Sequence, residues 1–81
     1  MTIEDKQTIC SLLATTLMAT KDGRDVHSLT YIEEPESCMQ KVFVEFADGG
    51  GTHINVTGFA GLEMVERIVN HIVKDKLGEL R

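Results

Sequence analysis

Residues 39–57 read MQKVFVEFADGGGTHINVT. Val42, Val44 and Phe46 alternate with Lys41, Phe43 and Glu45, the period of a strand with one buried face. Asp48-Gly49-Gly50-Gly51 has hairpin chemistry, and Thr52 to Thr57 reads as the returning strand. A two-residue loop would set Val44 beside His53 and mix core with polar positions. A three-residue loop of Asp48, Gly49 and Gly50 sets Val44 opposite Ile54 and Val42 opposite Val56, with all four on one face. A slip of one residue flips every side chain, so the three-residue loop is expected, with Gly50 in the left-handed region.

Upstream, Val26 to Glu33 (VHSLTYIE) is rich in β-formers and ends at Glu34-Pro35-Glu36-Ser37, where proline cannot donate to a ladder. This strand is apolar at both parities, so either Leu29 and Tyr31 or Val26 and Ile32 face away from the core. Before it, Ile3 to Ala19 reads as a helix with Thr2 as N-cap and Asp5 as capping-box partner. Ile3, Ile9, Cys10, Leu13, Ala14, Leu17 and Met18 share one arc, and Leu12 lies outside it, a first hint of a second buried surface. The turn Lys21-Asp22-Gly23-Arg24 ends that helix. Downstream, Ala60 to Leu77 carries an apolar stripe of Leu62, Val65, Ile68, Val69, Ile72 and Val73. Glu63, Arg67, Asn70 and Lys74 form its wet side, Glu63 and Arg67 an i,i+4 pair, and Gly78 a C′ residue. The order α-β-β-β-α predicts an α+β two-layer sandwich in one domain, 1–81. Its three-stranded antiparallel meander carries two helices on one face.

Eighty-one residues bury a small core, a shortfall that self-association, disulfides or metals commonly offset. Cys10 and Cys38 form no CxxC or Cys/His spacing, and His27, His53 and His71 have no metal-triad spacing, so no metal or cofactor is expected. Net charge is −5, which repels phosphate backbones and argues against nucleic acid as a partner. No run approaches the ~20 apolar residues of a membrane span. The start MTIEDKQ lacks a basic n-region, so a reducing cytoplasm is the expected compartment.

Two helices on one face leave the other sheet face bare, with Phe43, Glu45, His53 and Asn55 on it, joined by Leu29 and Tyr31 from the first strand. A cluster of exposed apolar residues points to a partner, and self-association, dimer first, is expected there. His53 is expected to face Glu45 across the hairpin, which is what a general base needs but more simply a surface pair; no enzyme activity is expected. Gly49-Gly50-Gly51 joins antiparallel strands and precedes no G-K-[ST], so it is no phosphate loop. The strand-to-helix passage Thr57-Gly58-Phe59-Ala60-Gly61 is a better candidate. Helix N–H groups and the dipole favour an anion there, and two glycines permit close approach. The plainer reading is an N-cap at Thr57 with Gly58 serving the turn.

The element order resembles the double-stranded-RNA-binding domain over nearly the whole chain. That resemblance implies phosphate contacts from basic residues at the start of the last helix. Here GFAGLEMVER (58–67) has no lysine and brings Glu63 and Glu66 before Arg67, so the chemistry does not follow. The segment VFVEFADGGGTHINVTGFAGLEMVERIV (42–69) resembles small bacterial prophage and mobile-element proteins, through Asp48, Gly49, Asn55, Val56, Thr57 and the helix after them. That resemblance implies a phage-type protein that counters host defence, either by sequestering a nucleotide-like signal or by binding a host protein. The expected function is therefore a homo-oligomeric binding protein holding an anionic small molecule at Thr57–Gly61. The alternative is an interaction module or inhibitor that presents its sheet face to a host protein.

Overall fold

The computed structural model describes residues 2–21 and 23–79, with side chains described through residue 74. Helix α1 (Ile3–Met18) is followed by β1 (Val26–Glu34), β2 (Met39–Phe46), β3 (Gly51–Asn55) and α2 (Gly61–Glu79), an α+β fold with one antiparallel sheet of order β1-β2-β3. The Thr2–Asp5 capping box closes the start of α1 as its sequence predicts: Asp5 N–H donates to Thr2 Oγ1 at 3.0 Å, and the Asp5 carboxylate accepts from Thr2 N–H. Cys10 and Ala14 of α1 and Met64, Ile68 and Ile72 of α2 pack on the sheet face formed by Leu29, Tyr31, Val42, Val44, Ile54 and Val56.

The hairpin differs from its sequence reading by a shift of two in register. Val42 pairs with Ile54 and Val44 with Thr52, around a loop of Ala47, Asp48 and Gly49. A shift of two keeps the parity, so all the valines still point inward. Gly49, with φ 91°, takes the left-handed position assigned above to Gly50. Gly50 instead donates its N–H to Asp48 Oδ1 at 2.9 Å, an Asx-type turn that holds the loop one residue earlier.

Strand β1 resolves its double apolar parity with a bulge. Between Val26, opposite Phe46, and Ser28, opposite Glu45, His27 is an extra residue. Val26 therefore points inward together with Leu29 and Tyr31, and all three are buried. The placement of Leu29 and Tyr31 on the bare face is corrected: they belong to the core, and Ser28, Thr30 and Ile32 face outward.

Ile3, Leu12 and Met18 are exposed on α1, so Leu12 marks no second buried surface within this chain. Helix α2 begins at Gly61 and runs on through Gly78 to Glu79, so Gly78 does not close it. A glycine inside a helix costs only about 1 kcal/mol relative to alanine, which a continuing hydrogen-bond ladder can offset.

At the β1–β2 turn, Cys38 sits at φ 56° with its side chain exposed, a conformation that costs an L-residue roughly 1–2 kcal/mol. Cys38→Gly is expected to raise stability by about 0.5–1 kcal/mol, the strain released less the flexibility glycine adds to the unfolded chain. Urea unfolding would show it as a higher midpoint at unchanged slope; an unchanged or lower midpoint would contradict the strain.

Candidate functional site

Hydrogen bonding at the strand-to-helix passage is internal. Thr57 Oγ1 accepts from Gln40 N–H at 2.9 Å and donates to Gln40 C=O, and the Gln40 side-chain oxygen accepts from Gly58 N–H at 3.1 Å. Thr57 N–H donates to Asn55 Oδ1, and Phe59 N–H to Val56 C=O. Thr57 is therefore a tie between β2 and the chain leaving β3, not an N-cap, since α2 starts at Gly61. Three of the five residues expected to cradle an anion have their N–H groups already engaged. Gly58 and Gly61 are in the left-handed region at φ 83° and 59°, so backbone conformation explains both glycines.

On the helix-free sheet face, His53 lies opposite Phe43 rather than Glu45, with ring centroids 4.9 Å apart. Glu45 faces Gly51 instead, so the Glu45–His53 pair that general-base chemistry would need does not form. A Cβ on Gly51 would lie 2.6 Å from Phe43 Cζ and 2.9 Å from the Val44 carbonyl oxygen. The bare glycine leaves room for the Phe43 ring beside β3, where it meets the His53 ring at a 45° tilt. Ile32, half-buried like Phe43, is the other large apolar residue of this face. The Lys41–Glu34 ion pair at 2.7 Å is the one salt bridge among the described residues. The Lys41 ammonium, then the Ser37 hydroxyl, holds the Glu34 carboxyl below its ordinary range.

Among the described residues, all five strongly exposed large hydrophobics lie on the helices, Leu62 most of all at 86 %, so the sheet face is less greasy than its sequence suggests. The wet side of α2 between Glu63 and Lys74 forms with Phe59 an open groove of about 400 Å³. Arg67 does not pair with Glu63. Its guanidinium lies 5.1 Å from the Phe59 ring centroid, and its Nε donates to Asn55 C=O on β3.

Lys6 is missed by the sequence reading. It is only 8 % exposed, with Nζ 3.3 Å from Tyr31 Oη and the ammonium 5.2 Å from the Tyr31 ring centroid. Tyr31 Oη in turn donates to Glu33 Oε2 at 3.1 Å. Burial, the largest cause, raises the Tyr31 phenol pKa against the neighbouring ammonium. A lysine in the apolar arc of an amphipathic helix, three residues before Ile9, was the signal available.

Burial pushes the Cys10 thiol up to about 11, which keeps it protonated and a poor nucleophile near neutral pH. Among the described residues no three His, Cys, Asp or Glu side chains are grouped to hold a metal ion, and no helix is long and apolar enough to cross a membrane. No protein-family model, curated protein or solved structure was found to match the chain.

Proposed function

We propose that this is a non-enzymatic, self-associating binding protein that engages a protein partner through the open face of its sheet. The observation that carries the reading is Phe43: an aromatic ring spread over Gly51 and braced by His53 at the centre of a face no helix covers. Aromatic residues held rigidly in a polar rim are favoured anchors of protein interfaces. Ser28, Thr30, Glu45 and Asn55 supply such a rim. The unformed Glu45–His53 pair and the protonated, buried Cys10 thiol support a non-catalytic role. The resemblance of residues 42–69 to prophage and mobile-element proteins favours a host protein as the partner. A nucleotide-like anion at Thr57–Gly61 draws less support, because Thr57, Gly58 and Phe59 spend their N–H groups inside the fold.

Phe43→Glu is expected to abolish capture of a partner from host extract while leaving the circular dichroism of the fold intact. Leu62→Glu, on the exposed side of α2, is expected to leave capture unchanged. Equal capture by both variants would overturn the sheet-face reading. A saturable rise in melting temperature with a nucleotide would favour the anionic ligand instead.

A further inference from the structure

The two edges of the sheet are finished differently. In an antiparallel sheet the backbone groups of alternate residues point outward from an edge strand. On β1 these belong to Leu29, Tyr31 and Glu33, and α1 covers the first two: Gln7 Nε2 donates to Leu29 C=O at 3.3 Å, and Gln7 Oε1 accepts from Tyr31 N–H at 2.8 Å. The side-chain amide thus occupies the place of a neighbouring peptide. On β3, Phe46 N–H bonds to Gly50 C=O and Val56 N–H to Gln40 C=O, so the inward groups belong to Gly50, Thr52, Ile54 and Val56. The outward groups belong to Gly51, His53 and Asn55. Arg67 takes the Asn55 carbonyl, and among the described residues nothing takes the N–H or C=O of Gly51 or His53.

We propose that β3 pairs antiparallel with β3 of a second copy of this chain, about a two-fold axis at Thr52, to give a continuous six-stranded sheet. This deepens the self-associating reading above and rests on it. With the axis at Thr52, Gly51 and His53 of one copy exchange both backbone hydrogen bonds with His53 and Gly51 of the other, using only groups that the monomer leaves open. An axis at His53 would need the Asn55 carbonyl that Arg67 already holds, so Arg67 selects the register. The same register sets Gly49 of one copy opposite Asn55 of the other. Asp48 at the hairpin tip then comes beside the Arg67 guanidinium at the Asn55 carbonyl, once at each end of the pairing. His53 falls opposite a residue without a side chain, Gly51, over which the second copy's Phe43 ring already lies. The contact is isologous, so it closes at two copies, and Gln7 blocks strand pairing at Leu29 and Tyr31 in the middle of each β1 edge.

Size exclusion coupled to light scattering on the full chain is expected to give a dimer. His53→Pro, which removes an N–H that the monomer does not use and which an edge strand tolerates, is expected to give a folded monomer. Asp48→Arg or Arg67→Asp alone is expected to weaken the dimer roughly tenfold or more by like-charge repulsion, and the two together to restore it. In a Cys38→Ser background, Thr52→Cys is expected to cross-link the dimer, because cross-strand Cβ atoms at an axis pair lie about 4.5–5.5 Å apart. A dimer unmoved by His53→Pro and by the single charge changes would overturn the β3 pairing while leaving self-association standing. A monomer at all concentrations would overturn both.

Discussion

Ile68→Ala is expected to cost about 2–5 kcal/mol, the range for emptying a fully buried aliphatic site. Ile68 is 0 % exposed on the inner stripe of α2, between Met64 and Ile72. A domain of this length has roughly 4–12 kcal/mol of stability in all, so the loss takes much of the total. Helix α2 puts Met64, Ile68 and Ile72 into the core it shares with the sheet and α1, and the pairing of α1 with α2 is slight, so α1 does not readily close the cavity. Urea unfolding followed by circular dichroism should place the midpoint far below wild type, with Ile68→Val losing only about 0.5–1.5 kcal/mol. A loss under 1 kcal/mol for the alanine variant would mean that α2 does not seat on the sheet through this residue.

Gln7→Leu is expected to have the next largest effect, about 1–3 kcal/mol. It deletes the acceptor of Tyr31 N–H and the donor to Leu29 C=O at once, and leaves both groups half-covered by a side chain that cannot bond them. The variant also uncovers the second sheet edge. Native-state hydrogen exchange should show the Tyr31 amide exchanging much faster relative to its neighbours on β2, and light scattering should show species larger than in wild type. Gln7→Glu distinguishes acceptor from donor. It keeps an oxygen for Tyr31 N–H but sets a carboxylate lone pair against the Leu29 carbonyl, so it should lose stability as pH rises through the carboxyl range. Unchanged Tyr31 protection in Gln7→Leu would show that α1 does not finish the β1 edge.

These two residues show where sequence pattern is informative. Ile68 belongs to a 3.6-residue apolar stripe whose period predicts its burial, although Leu62 at the start of the same stripe is exposed. Gln7 is a polar residue one step from the apolar arc, and nothing local distinguishes it from Thr8 or Ser11. Its role depends on which edge strand α1 crosses, a relation between residues 24 apart in the chain for Tyr31. Lys6 is alike: its burial against Tyr31 depends on β1 turning that ring inward. Arg67 was legible as a wet-face residue, but i,i+4 spacing pointed it at Glu63. Only the loop carrying Phe59 back beside β3 gave it a ring and a carbonyl instead.

The candidate surface was partly legible for the same reason. Strand parity placed Phe43, Glu45, His53 and Asn55 together on one face, because parity survives a two-residue shift in register. It could not say which of them are directly opposite. The loop slid one residue toward the N-terminus, so Phe43 rather than Glu45 met His53. The acid–base pair disappeared with that shift, and the aromatic contact took its place. The anion cradle at Thr57–Gly61 lost support partly on a longer relation: Asn55 takes the Thr57 N–H, and Gln40, on β2, takes the Gly58 N–H.

Residues 39–57, taken alone, determined the hairpin, the inward valines and, with the periodic segments on either side, the α-β-β-β-α order. Those features rest on local periods of 2 and 3.6 residues that any window of the chain displays. The hairpin's pairing, the bulge that buries Val26 with Leu29 and Tyr31, and the contrast between a capped β1 edge and an open β3 edge belonged to the tertiary structure. Each is set by which distant segment supplies the last hydrogen-bond partner, and a backbone group does not encode its partner in its own neighbours.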